Sequence, residues 1–296
     1  MVSFSRQDAV VRAMPAVFVL IWSTGFIVAR YGMPHAPPMK FLALRYFFSI
    51  ACFLAWALAA GVAVLPADRR QARHLAVTGI LMHGGYLGGV WAAVKLGMGA
   101  GLASLLVGLQ PVLTAVWVSS RGGVVSPRQW AGLALGFGGL ALVVWQKLGL
   151  GEISTANFLL AVGALASITV GTIYQKRFVV PCDVRTASLV QLCAALIVTL
   201  PLTLLEAEGV RWNAELVGAM AWSVLALTLG GSSLLFLLIH RGAATVVTSM
   251  LYLVPPCTAV MAWLLFGEAI TVFTVAGIAL TALGVSLVVR SPSPRP

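Results

Sequence analysis

Ten stretches without a single Asp, Glu, Lys or Arg take up most of this chain, and each is long enough to cross a lipid bilayer. They are Ala13–Ala29, Tyr46–Ala67, Leu75–Val94, Leu96–Ser120 and Gln129–Gln146, then Ile153–Gln175, Thr186–Leu205, Leu216–Ile239, Gly242–Gly267 and Ala269–Val289. Each holds about 17 to 26 residues, and a helix rising about 1.5 Å per residue needs about 20 of them to cross roughly 30 Å of hydrocarbon. Lipid offers no partner to a free backbone N–H or C=O, so such segments must be helices. The alternation of polar and apolar residues that marks a membrane barrel is absent. The chain is 60% hydrophobic and 9% charged, far below the roughly 25% charged share of a soluble domain. With no polar segment longer than a loop, a soluble catalytic domain has no place. The expected fold is an all-α integral membrane protein with ten transmembrane helices.

A net charge of +11 raises the question of nucleic acid, but the placement of the charge answers it. With the N-terminus in the cytoplasm and the helices alternating, the cytoplasmic segments hold 13 basic residues against three acidic ones (Asp8, Asp68, Asp183). The opposite side holds five basic and five acidic residues, the latter Glu152, Glu206, Glu208, Glu215 and Glu268. Arg45 lies inside a helix. Asymmetry of this kind in short loops puts both termini in the cytoplasm. A nucleic-acid surface gathers its cations on one solvated face, whereas here they are scattered over six short segments, so no nucleic-acid partner is expected. The first run is longer than the apolar core of a secretory signal and no A-x-A-like site follows it. Cys52, Cys193 and Cys257 fall inside membrane runs and Cys182 in a loop. Without CxxC or Cys/His spacing, neither a disulfide framework nor a metal site is expected, and no cofactor is implied.

The chain also matches itself at an offset of 145. Gly132–Val144 lies over Gly277–Val289 with seven of thirteen positions identical. The same offset pairs Pro111 with Pro256, Ser104 with Ser249, Gly85 with Gly230 and Thr24 with Thr169. One offset holding across five helix pairs divides the chain into residues 1–150 and 151–296, five helices each. Because five is odd, the second half enters the membrane from the opposite side. Inverted repeats of this sort build many secondary transporters, with the substrate near the midplane between halves that exchange conformations. Ser126-Pro127-Arg128-Gln129 reads as a capping box with proline at the first helical position, so the fifth helix is expected to start there and to be short. Thr271 is expected to cap the tenth in the same way.

Three motifs resemble the ten-helix, EamA-type branch of the drug/metabolite transporter superfamily. They are Ile21-Trp22-Ser23-Thr24-Gly25-Phe26, Leu42-Ala43-Leu44-Arg45-Tyr46, and Tyr252 through Gly267-Glu268 with its Pro255-Pro256 pair. The first half departs from the last motif, with Gly122-Gly123 where the second has Gly267-Glu268. The resemblance covers essentially the whole chain. It implies ten helices, both termini inside, and export of small metabolites, with bacterial exporters of amino acids, including aromatic ones, as the most similar branch.

Candidate substrate contacts follow from what lipid tolerates poorly. Trp22 and Ser23 sit in the middle of the first helix, away from the interface belts, and an indole N–H there needs a partner. In the third helix, His83 is an ionisable group near mid-membrane and should face the bundle interior or a watery cavity. Tyr86, one turn along, offers a ring and a hydroxyl to an amphipathic guest. The surrounding glycines, Gly85 among them, are the small residues that let helices approach closely. Ser104 and Ser249 each precede a proline (Pro111, Pro256) by seven residues, on one helical face. Proline frees a carbonyl four residues back, so these are candidate hinges, as are Gly85 and Gly230. Tyr252 is a further aromatic candidate. Arg45 reads as about one turn inside the second helix, where it could grip a substrate carboxylate through its fork of donors, although snorkelling to the interface or bonding to neighbouring carbonyls is the commoner arrangement.

No Asp or Glu lies deep in any helix, so a carboxylate proton relay has nothing to be built from. The expected function is therefore export of small amphipathic metabolites, foremost aromatic or hydrophobic amino acids, by alternating access and facilitated diffusion across a bacterial inner membrane. The partners are the small-molecule substrate and membrane lipid; oligomeric state stays open, a monomer being compatible. The alternatives are a proton-coupled exporter of the same superfamily, or a channel or scaffold. A pore would want a polar stripe or charged ring, and none is present. An intramembrane enzyme would need a nucleophile and base, paired carboxylates or metal ligands, and no HExxH or GxSxG pattern occurs.

Overall fold

The computed structural model describes residues 6–122, 126–149, 151–240 and 251–289. Among them there is helix and no strand. The helices are α1 (Arg6–Gly32), α2 (Pro38–Ala59), α3 (Arg69–Lys95), α4 (Ala100–Val107 and Gln110–Ser120), α5 (Pro127–Gly149), α6 (Thr155–Phe178) and α7 (Val184–Leu202). They continue with α8 (Ala214–His240), α9 (Val254–Phe266) and α10 (Val272–Val289). Eight of them hold stretches long and apolar enough to cross a membrane, while α9 and α10 are shorter apolar helices.

The helix ends are chemically specified. Ser126 and Gln129 form the expected capping box at α5, each side chain bonding the other's backbone N–H (2.8 and 3.3 Å). Thr271 receives the Thr274 N–H (3.2 Å) and caps α10. The α5 helix is not short, however: it runs 23 residues, past Gln146, because Lys147 folds back onto Glu152 (2.7 Å) and no longer interrupts the helix. The second helix begins at Pro38, before Lys40, with proline at its first turn. Glu206 binds the backbone N–H groups of Met39 and Lys40 (2.8 and 2.9 Å). A carboxylate from the α7–α8 loop thus holds a helix N-terminus, where the dipole favours it.

The largest interface joins α5 to α10. A Cβ added at Gly139 would lie 2.5 Å from the Gly277 carbonyl oxygen, and one at Gly132 2.5 Å from that of Gly284. Displaced by 145, the contact of residues 132 and 284 becomes that of 277 and 139. This reciprocity is what a two-fold relation between the halves requires. The helices approach at glycine because lipid gives no hydrophobic reason to associate, and close van der Waals contact must do so instead. Other cross-half interfaces pack α2 and α3 on α7, α3 on α6, and α1 on α8 and α9.

Two helices leave the α form at matched places. Ile80–Gly85 of α3 and Trp222–Gly231 of α8 are π-helical, and residues 80–85 fall on 225–230 at the repeat offset. A π segment misaligns carbonyls from their usual partners, and it often marks a functional site. Side chains take up the difference. The Tyr46 hydroxyl donates to the His83 carbonyl (2.8 Å), Ser167 Oγ to that of Leu81 (2.9 Å), and Thr228 Oγ1 to that of Ser223 (2.8 Å).

Candidate functional site

A cavity of about 100 Å³ lies between the two π segments, and a second of about 90 Å³ adjoins it beside the break in α4. Trp22 and Phe26 of α1, Tyr86 of α3 and Ile168 of α6 border both. Arg45, His83, Thr228 and Ser232 complete the polar lining of the first; Ser104 and Gln110 supply that of the second. The lining is otherwise apolar. That combination, apolar walls with a few convergent polar groups, is the usual make-up of a small-molecule site.

Arg45 is the chemical centre. It is 7% exposed, and its Nε and Nη2 donate to Thr228 Oγ1 (3.2 and 3.1 Å). This corrects the expectation of a snorkelling arginine. The helix starts seven residues before Arg45, so its Cα lies about 10 Å in along the axis, and the side chain is buried inside the bundle. It bonds a hydroxyl of the other half rather than a carbonyl of its own. Thr228 is the residue that sequence reasoning missed, although the offset of 145 points from His83 to it.

The seven acidic residues with described side chains are all engaged elsewhere, at helix ends or in loops. Glu206 holds the α2 N-terminus, while Asp68 and Asp183 accept the N–H of Arg70 and Arg185 at the starts of α3 and α7 (2.8 and 2.9 Å). Glu268 accepts the N–H groups of Ala100 and Gly101 (2.9 and 3.3 Å) at the start of α4, which gives the Gly267-Glu268 motif its structural role. Glu152 pairs with Lys147, Glu208 with Lys95 (2.6 Å) and Glu215 with His35 (2.7 Å). The Lys95 ammonium holds the exposed Glu208 carboxyl below its ordinary pKa, and the Arg185 guanidinium does the same for Asp183. None of these groups lines either cavity, so Arg45 has no carboxylate partner among the described residues. No group of His, Cys, Asp and Glu suited to a metal occurs there either.

The other expected site residues divide clearly. Trp22, His83, Tyr86 and Ser104 line the cavities, as does Pro111. Pro111 also breaks α4: the helix stops at Val107 and resumes at Gln110, as loss of the proline N–H demands. Ser23 does not line them. It is fully buried, its hydroxyl donates to the Val19 carbonyl of its own helix (2.7 Å), and its carbonyl meets Thr258 of α9. Gly85 faces α6 and leaves no room for a Cβ beside Ser167; Gly230 lies within the π segment of α8. Pro256 sits in the first turn of α9 after the 3₁₀ turn Leu251–Leu253, so it opens that helical segment and does not kink its middle. Ser249 lies outside the described residues, as does the Tyr252 side chain.

The EamA-like transporter family is matched twice along the chain, over residues 14–145 and 156–290. The chain belongs to this family, within the drug/metabolite transporter superfamily, and is a multi-pass membrane transporter. Among its relatives is a "Probable amino-acid metabolite efflux pump" of Salmonella typhimurium, 26% identical over 95% of this chain and 94% of the relative. An "Uncharacterized inner membrane transporter YedA" of Escherichia coli is 24% identical over 86% and 83%, and an "Uncharacterized transporter YvbV" of Bacillus subtilis is 24% identical over 92% and 89%. One crystal structure shares the fold at 19% identity, with a TM-score of 0.66 over 95% of this chain and 97% of that one.

Proposed function

We propose that the chain exports small amphipathic metabolites, amino acids foremost, from a bacterial cell across its inner membrane. In this reading ten helices cross the bilayer as two inverted five-helix repeats, residues 1–150 and 151–296, with both termini cytoplasmic. The halves rock against each other to expose the central chamber alternately to the two faces. Transport is facilitated diffusion, since no carboxylate among the described residues lines the chamber.

The observation that carries the proposal is the position of that chamber. It is bounded by α1, α2 and α3 of one half and α6 and α8 of the other, and crossed by the only hydrogen bonds that Arg45 makes among the described residues. Trp22 and Tyr86 offer amphipathic rings to the body of a cargo. Support also comes from the efflux-pump relative named above and from the glycine contacts exchanged between α5 and α10. The test is counterflow in proteoliposomes preloaded with single unlabelled amino acids. Trans-stimulated uptake of labelled phenylalanine or tryptophan is the expected result; equal uptake into empty and preloaded vesicles for every amino acid would remove the proposal.

A further inference from the structure

Among the described residues, the chamber is lined by one fixed charge and no compensating one. Arg45 is more than nine-tenths buried, and a guanidinium stays protonated in any protein environment. Thr228 engages Nε and Nη2 but brings no negative charge, and its own proton is committed to the Ser223 carbonyl. Nη1 makes no hydrogen bond among the described residues. An unpaired buried cation is costly until an anion joins it. A carboxylate does so best, since two oxygens match two parallel donors of the fork. An ammonium has no matching acid, because neither cavity is lined by Asp or Glu among the described residues.

We infer that the chamber selects a monoanion: an apolar or aromatic carboxylate derived from an amino acid whose amine is missing or masked, with its carboxylate on Arg45 and Thr228 as the positioning residue. With such a cargo the occupied chamber is neutral, whereas a zwitterion leaves it at +1 and a cation at +2. The cargo then carries one negative charge across the membrane while Arg45 stays with the protein. The inside-negative potential of a cell drives that charge outward, whichever way the chain is inserted, which supplies a direction of transport without any proton relay. The inference rests on the exporter reading and moves its foremost cargo from the free amino acid to a deaminated or N-masked derivative.

The test uses the full chain in proteoliposomes clamped inside-negative with a potassium gradient and valinomycin. Three probes share one aromatic body: 2-oxo-3-phenylpropanoate (monoanion), phenylalanine (zwitterion) and phenylalanine amide (monocation). At about 100 mV the oxo acid should reach an outside-to-inside ratio of about fiftyfold and collapse to unity when the clamp is removed. Phenylalanine should be carried more weakly and show no response to the potential. Arg45→Gln should abolish movement of the oxo acid, Arg45→Lys should restore part of it, and Thr228→Val should raise KM more than it lowers the maximal rate. Potential-independent transport of phenylalanine with none of the oxo acid overturns the inference and leaves the exporter reading standing. Failure of all three probes to move overturns both. If Arg45→Gln does not fold, the other two variants decide, and wild-type KM for the oxo acid in both overturns the assignment.

Discussion

The two π-helical segments, in α3 and α8, are alike in backbone and unlike in chemistry. Both occupy matched places in the repeat, and both flank the chamber. In α3 the matched position is His83, whose carbonyl is held by Tyr46 of α2; in α8 it is Thr228, whose hydroxyl receives Arg45 of α2. The α7 residues at the repeat positions of Arg45 and Tyr46 are Val190 and Gln191. The paired helices keep their geometry, so that either side of the chamber has a place where a helix can yield. The arginine and the hydroxyl it bonds occur only once, in the α2–α8 pair. On the proposed function, repetition supplies the moving parts and its local failure marks the binding chemistry.

The sharpest way to break this comparison is to exchange the anchor. Arg45→Gln should lower transport at least about thirtyfold, since losing one side of a desolvated charged contact is worth roughly 2–5 kcal/mol. Val190→Gln, at the repeat-matched place on α7, should leave the rate within about twofold. Tracer flux in proteoliposomes reads both, and equal losses would abolish the asymmetry. On the symmetric side, the repeat-matched Gly132→Ala and Gly277→Ala should each destabilise the protein by about 1–3 kcal/mol through overpacking, because each added methyl meets a backbone carbonyl at 2.5–2.6 Å. Gly163→Ala, which meets nothing within 4 Å, should be neutral or slightly stabilising. Thermal unfolding in detergent separates these, and a large difference between the two interface variants would contradict the two-fold relation.

Glu268→Ala removes the carboxylate that caps α4 and should cost about 1 kcal/mol. Gly123, the repeat-matched residue, has no side chain to lose. The smallest effect concerns pH. Glu208 is held below its ordinary pKa by Lys95, so its stabilising contribution is complete above the ordinary carboxylate range and is lost as pH falls through the depressed value. The melting temperature of the wild type should drop slightly more between neutral and acid pH than that of Glu208→Gln. Identical slopes would show that the pair contributes nothing, as many exposed ion pairs do.

Much of the fold was legible in the sequence because lipid is an exacting solvent: stretches free of charged residues and glycine spacing survive as physical requirements. What stayed hidden arose where a charge was not at a boundary. The second charge-free run begins only at Tyr46, yet α2 begins at Pro38, with Lys40 in its first turn and its ammonium on the carbonyls of Glu206 and Glu208. Arg45 was thus read one turn too shallow. Lys147 misled in the same manner at α5. The π segment of α3 left no mark, since its carbonyls are bonded by side chains on other helices, Tyr46 and Ser167, that no local pattern reveals. Trp22, His83 and Tyr86 were found by asking which residues lipid rejects. Ser23 failed that test because a serine can satisfy its hydroxyl within its own helix.

Alternating access by two inverted halves requires reciprocal motion of the two ends of the molecule. Spin-label pairs at residues 96 and 209, on the glutamate-rich end, and at residues 121 and 178, on the arginine-rich end, can be followed by pulsed dipolar spectroscopy with and without saturating cargo in lipid nanodiscs. Distances that lengthen at one end as they shorten at the other are the predicted result. Two distributions that stay fixed, or that widen together, would contradict a chamber opened alternately by two inverted halves.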